Sequence, residues 1–133
     1  MDSVNEIRWR QYFEHYDRLY NSLKAYSNES FQSELEKIGF IHHYEMVIEH
    51  AKKVIYSYLE AKNVAETDYR KAIVKMEELG KIENRRTWFK IENRKNLVFY
   101  LHNEGVLDEL LADINDEYLH ELEQFYNQLK EEV

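Results

Sequence analysis

Residues 35–61, LEKIGFIHHYEMVIEHAKKVIYSYLEA, place Leu35, Ile38, Ile41, Tyr44, Ile48, Ala51, Ile55 and Tyr58 at steps of three and four. Steps of that size return to one face of a helix with 3.6 residues per turn, so the segment reads as a long amphipathic helix running through about residue 61. Gly39 interrupts the stripe near its start. Glycine costs roughly 1 kcal/mol relative to alanine inside a helix, which predicts a kink or a fresh start at that position. An apolar stripe this long has to be covered by other elements, and the rest of the chain supplies more helices.

Upstream, Ser3 and Glu6 have capping-box spacing, and Trp9, Tyr12, Tyr16, Leu19, Leu23 and Tyr26 repeat every three to four residues, predicting a helix over about 3–26. Residues 27–30, Ser-Asn-Glu-Ser, form a polar joint with two candidate caps. Downstream, Thr67 or Asp68 can cap a helix of four turns with Tyr69, Ala72, Ile73, Met76 and Leu79 on its apolar face and Gly80 as its stop. Residues 81–85 read as a polar turn. Trp88, Ile91, Lys95 and Val98 then share a face, which aims Lys95 inward, and Gly105 marks a break. A last stripe follows in Leu107, Leu110, Leu111, Ile114, Tyr118, Leu122, Phe125 and Leu129. Short loops between about five helices predict an all-α, antiparallel up-and-down bundle. No internal repeat or linker divides residues 1–133, which read as one domain.

Composition agrees with this architecture and narrows the function. Proline is absent and glycine occurs only three times among 133 residues, while 33% of residues are charged and can solvate several helix faces. With no cysteine, a disulfide scaffold, a thiolate zinc site and a cysteine nucleophile are excluded. A polar N-terminus and the lack of any apolar run of about 18 residues lead to the expectation of a cytoplasmic protein without a membrane segment. The net charge of −8 argues against indiscriminate nucleic-acid binding, because phosphate contacts usually rest on a basic surface. Eleven tyrosines, six phenylalanines and two tryptophans exceed what a small helical core requires, and so predict a homodimer.

Three signatures, in order along nearly the whole chain, carry a family resemblance. The first helix holds Arg8, Trp9, Gln11, Phe13 and Tyr16 in an Arg-Trp-x-Gln-x-Phe-x-x-Tyr pattern. The long helix holds the aromatic-acid pair Tyr44 and Glu45, followed by Ala51, Lys53 and Tyr58, and Trp88 precedes a stretch at 94–104, RKNLVFYLHNE. The chain thereby resembles the nucleotidyltransferase substrate-binding proteins, the HepT-like branch of the HEPN superfamily of helical bundles. That family's motif reads Arg-Asn, three residues, His, one residue, Tyr. Counted from Trp88, its four positions hold Lys95, Asn96, Tyr100 and His102, so only the asparagine is retained.

The resemblance implies metal-independent RNA cleavage for members with an intact motif, the histidine moving protons and the arginine steadying charge on phosphate. A tyrosine titrating near pH 10 is a poor base at neutral pH, and lysine lacks the bidentate fork of arginine. His102 two residues on is turned by roughly 200° if the helix continues. The resemblance also implies a partner nucleotidyltransferase that attaches AMP to the family tyrosine, a position held here by His102, with Tyr100 the nearest phenol. The expected function is therefore a non-catalytic or impaired subunit that dimerises and binds a small partner nucleotidyltransferase, presenting its substrate or serving as its target in a toxin-antitoxin-like pair. A ribonuclease toxin using Lys95, Asn96, Tyr100 and His102, with nucleotide or RNA as ligand, is the alternative, and an acidic helical adaptor is a third reading.

Two further groups have competing readings. Glu45 and Glu49 lie one turn apart with Lys52 and Lys53 close behind, which describes either helix-surface pairing or a Glu45 that points inward and pairs with Lys95. The inward reading is preferred, because Tyr44 and Ile48 flank Glu45 on the stripe and the family has an acid there. His42, His43 and His50 beside those glutamates, and Glu117 with His120 at di-iron spacing, read as solvated side chains. Such metal sites need a second Glu-x-x-His copy and two more inward glutamates, so neither a metal nor another cofactor is expected. Trp9 and Trp88 read as core or interface anchors, with Trp88 supporting the motif.

Overall fold

The computed structural model describes residues 3–94 and 103–133. Ser3 caps the first helix, α1 (Val4–Tyr26), by accepting the Glu6 N–H at 3.1 Å. The Glu6 carboxylate accepts the Trp9 indole N–H at 2.8 Å, so the expected cap forms without the reciprocal half of a capping box. Helix α2 (Glu34–Ala61) is capped by Ser33, whose hydroxyl accepts the Glu36 N–H at 3.2 Å, rather than by Ser27 or Ser30. It continues unbroken through Gly39, where the sequence predicted a kink. The packing of its stripe from Phe40 onward outweighs a propensity penalty of roughly 1 kcal/mol.

Helix α3 (Tyr69–Glu78) begins at the Asp68 cap and is shorter than the four turns expected. Gly80 ends it with φ +75°, a left-handed conformation that favours glycine. Helix α4 (Arg85–Asn93) is capped by Asn84, and Ile82 in the preceding turn is buried. The last rod starts one residue before Gly105, because the Asn103 side chain caps it through the Gly105 and Val106 N–H groups. It comprises α5 (Glu104–Asp113), a π turn (Ile114–Tyr118) and α6 (Leu119–Lys130), making five rods among the described residues in an all-α bundle.

One buried cluster joins the rods. Trp9 meets Tyr58 edge-on at 5.0 Å, and Phe125 receives Tyr16 at 5.4 Å and Trp88 at 5.2 Å. Tyr20 and Tyr126 stack at 4.9 Å. Phe13 and Tyr20 join the α1 stripe, whereas Leu35, Tyr26 and Leu79, placed on apolar faces by spacing, are 78%, 53% and 45% exposed at helix ends. Of the ten described tyrosines only Tyr26 is exposed. The aromatic surplus is thus absorbed inside one chain and no longer argues by itself for a second subunit. Near the C-terminus, Glu132 accepts the Tyr58 hydroxyl at 2.7 Å and pairs with Lys81 at 2.9 Å and Lys62 at 3.7 Å, tying the end of the chain to α2 and to the turn after α3. Among the described residues no helix is long and apolar enough to cross a membrane.

Candidate functional site

The long helix presents Ile41, Tyr44, Glu45, Ile48, Glu49 and Lys52 on one face, since positions three and four apart are neighbours there. With Ile91 and Arg94 from the end of α4 and Leu110 from α5, these residues line a cavity of about 320 Å³. Its walls mix apolar and charged side chains, and the charges sit on the α2 rim and at the α4 terminus.

The π turn sets one wall of this site. Its extra residue brings Asp113 and Tyr118 to Arg94: Nη1 forms an ion pair with Asp113 and donates to the Tyr118 hydroxyl at 3.0 Å. Burial works against the Arg94 charge, but the Tyr118 and Asp113 interactions outweigh it and raise its affinity for the proton. One and two turns earlier on α4, the Lys90 ammonium and the Thr87 hydroxyl both donate to the Glu117 carboxylate at 3.0 Å. Tyr118 also stacks on Tyr44, with ring centroids 6.2 Å apart. Burial, with the neighbouring Tyr118 second, holds the Tyr44 phenol protonated well beyond neutral pH.

Glu45 lies half-buried on the cavity rim and makes no hydrogen bond or ion pair among the described residues. Burial raises its pKa, His42 works against this rise, and Glu49 adds to it. Lys52, by contrast, is committed: its ammonium lies 3.2 Å from Glu92 and 4.0 Å from Glu49, and 5.4 Å from the Tyr69 ring centroid. Among the described residues the cavity therefore combines an apolar floor, two compensated cations and, in Glu45, a carboxylate without a counter-ion.

Of the residues singled out by sequence, Glu45 lines this cavity and Trp88 does not. Trp88 is fully buried, packs on Phe125 and accepts the Tyr69 hydroxyl through its carbonyl at 2.9 Å, which makes it a core anchor. Its indole N–H lies near Glu121 without hydrogen-bond geometry. Lys95, Asn96, Tyr100 and His102, together with the proposed Glu45–Lys95 pair, lie outside the described residues. Arg94 and Asp113 were missed, while Tyr118 and Lys52 were read only as a stripe residue and a helix-surface partner. A signal for the π turn was present: Leu110, Ile114, Tyr118 and Leu122 are spaced four apart three times running. That pattern drifts by roughly 120° on a regular helix unless a wider turn restores it.

Of the histidines considered for metal binding, the His43 ring lies 3.0 Å from the Leu19 carbonyl and the His50 ring 2.9 Å from the Met46 carbonyl. Among the described residues Glu83, His120 and Glu121 bring ligand atoms within 4.8 Å of one another. Glu121, the buried member, already accepts the Asn84 N–H at 2.9 Å, and the other two are exposed.

A family model described as nucleotidyltransferase substrate binding protein like matches residues 11–131. No curated protein matches the chain.

Proposed function

The chain belongs to the nucleotidyltransferase substrate-binding-protein-like family, and from that premise we propose that it is a HepT-like subunit of a small nucleotidyltransferase, non-catalytic or impaired as a nuclease. It binds the partner enzyme and presents a substrate to it, or is itself the target, as one domain spanning residues 1–133 and as a homodimer within a toxin-antitoxin-like pair in the cytoplasm. The family match over nearly the full chain carries this reading. Two observations support it. The RNA-cleaving motif implied by the HEPN resemblance has Lys95, Tyr100 and His102 where arginine, histidine and tyrosine stand. The described cavity's two cations, Lys52 and Arg94, are both engaged by carboxylates, which suits binding of another substrate class better than phosphate cleavage. Co-expression with a nucleotidyltransferase encoded beside it should yield one complex on a sizing column, whereas two separate peaks would overturn the reading. The ribonuclease alternative, which draws on Asn96 and the cationic Lys95, requires growth arrest on induction of the chain alone and relief by Lys95→Ala or His102→Ala.

A further inference from the structure

The cavity between α2, α4 and α5 has a charge balance that selects among ligand classes. Among the described residues its two cations are already met: Lys52 by Glu92 and Glu49, Arg94 by Asp113 and the Tyr118 hydroxyl. With Glu45 added, those two cations face four carboxylates. A phosphate or carboxylate entering here would gain no unpaired cation from the described residues and would approach Glu45 and Glu49. A neutral apolar molecule would cover Ile41, Ile48, Ile91 and Leu110 but would also take water from Glu45, and desolvating an unpaired carboxylate is costly. A positively charged group supplies the missing counter-ion while its carrier covers the floor.

We propose that this cavity binds a primary ammonium carried on an apolar body, with the Glu45 carboxylate as counter-ion and the Ile41, Ile48, Ile91 and Leu110 side chains against the body. The assignment rests on the substrate-binding reading and gives that substrate its chemical class: an amine-bearing molecule rather than a nucleotide or an RNA. Glu49, more exposed on the rim and already near Lys52, makes a weaker second contact. Tyr44, stacked on Tyr118, closes the inner wall and keeps its proton, so it adds no negative charge.

The test titrates benzylammonium into the full chain and follows isoleucine and leucine methyl resonances, with benzoate, benzyl alcohol and AMP as comparators. Benzylammonium should give saturable shifts confined to Ile41, Ile48, Ile91 and Leu110. Glu45→Gln should weaken its binding at least about tenfold, a size typical of losing a charge-assisted hydrogen bond, and Glu49→Gln should weaken it less. Equal or tighter binding of benzoate or AMP at those methyls, shifts that Glu45→Gln leaves unchanged, or no localised shift would each overturn the assignment. Repeating the titration on the complex with the nucleotidyltransferase separates the sources of the amine. Retained binding supports a small-molecule substrate, and loss of binding shows that the partner's own surface fills the cavity, which overturns it. Co-elution with the enzyme is a separate readout. Benzylammonium binding without co-elution keeps this assignment and removes the subunit reading, and co-elution without binding does the reverse.

Discussion

Arg94 Nη1 donates to the Tyr118 hydroxyl at 3.0 Å, joining the C-cap residue of α4 to the last residue of the π turn. Asp113, at the start of that turn, pairs with the same nitrogen. The π turn and the α4 terminus are thus held as one unit beside the cavity, and the sequence from Lys95 to His102 follows directly from it. π turns recur at functional positions because the extra residue redirects side chains that a regular helix would carry away.

If this unit holds α4 in place, Arg94→Ala should destabilise the chain by about 1–2 kcal/mol, because it leaves Asp113 and a buried phenol without their donor. Tyr118→Phe should cost about 1 kcal/mol or less. Urea denaturation measures both, and a double-mutant cycle should show coupling between them. Additive losses would mean that the contact does not hold the two elements together.

The C-terminal clamp should depend on pH in a defined direction. Burial raises the Glu132 pKa, but hydrogen bonds from Lys81 and Tyr58 and the charges of Lys81 and Lys62 outweigh it, so the folded value lies below 4.5. A carboxyl group depressed on folding contributes stability fully above its unfolded pKa and loses it as pH falls through the folded one. Melting temperatures of the wild type should exceed those of Glu132→Gln at pH 7, and the difference should shrink once pH falls below about 4.5, the usual carboxylate range.

Glu45 should behave oppositely. Its folded pKa is raised, chiefly by burial, so the ionised group opposes folding at neutral pH, and that cost disappears as pH falls through the raised value toward the unfolded one. Glu45→Gln should therefore melt higher than wild type at pH 7, with the advantage fading near pH 4. A residue whose replacement stabilises the fold while weakening amine binding would be retained for the site rather than for the scaffold.

Two glycines should respond with opposite signs. An added Cβ at Gly39 meets nothing within 4 Å inside α2, so Gly39→Ala should stabilise by about 0.5–1 kcal/mol. Gly80 sits at φ +75°, so Gly80→Ala should destabilise by about 1 kcal/mol despite open space around it. Thermal unfolding of the two variants against wild type checks both signs.

Which features could be read from the sequence follows from their physical range. Stripes such as Ile41 to Tyr58 and Leu107 to Leu129 fixed the rods, because burial at helical spacing is a local pattern repeated many times. Caps at Ser3 and Asp68 were legible for the same reason, since each acts within three residues. Errors lay where one position had to settle a question decided by distant partners. Gly39 stays helical because the rest of α2 packs, and Leu35, placed on the stripe by spacing, is 78% exposed at the start of that helix. The candidate site was legible only through Glu45. Arg94 drew no reading of its own at the head of the 94–104 stretch, because its partners Asp113 and Tyr118 are set by a π turn that a regular helical wheel does not contain.

The most direct test of the subunit reading is recovery of the tagged chain from its native host under gentle salt, with bound proteins identified and counted by mass spectrometry. Stoichiometric recovery of a small nucleotidyltransferase is the expected result, and recovery of the chain with no such enzyme would contradict it.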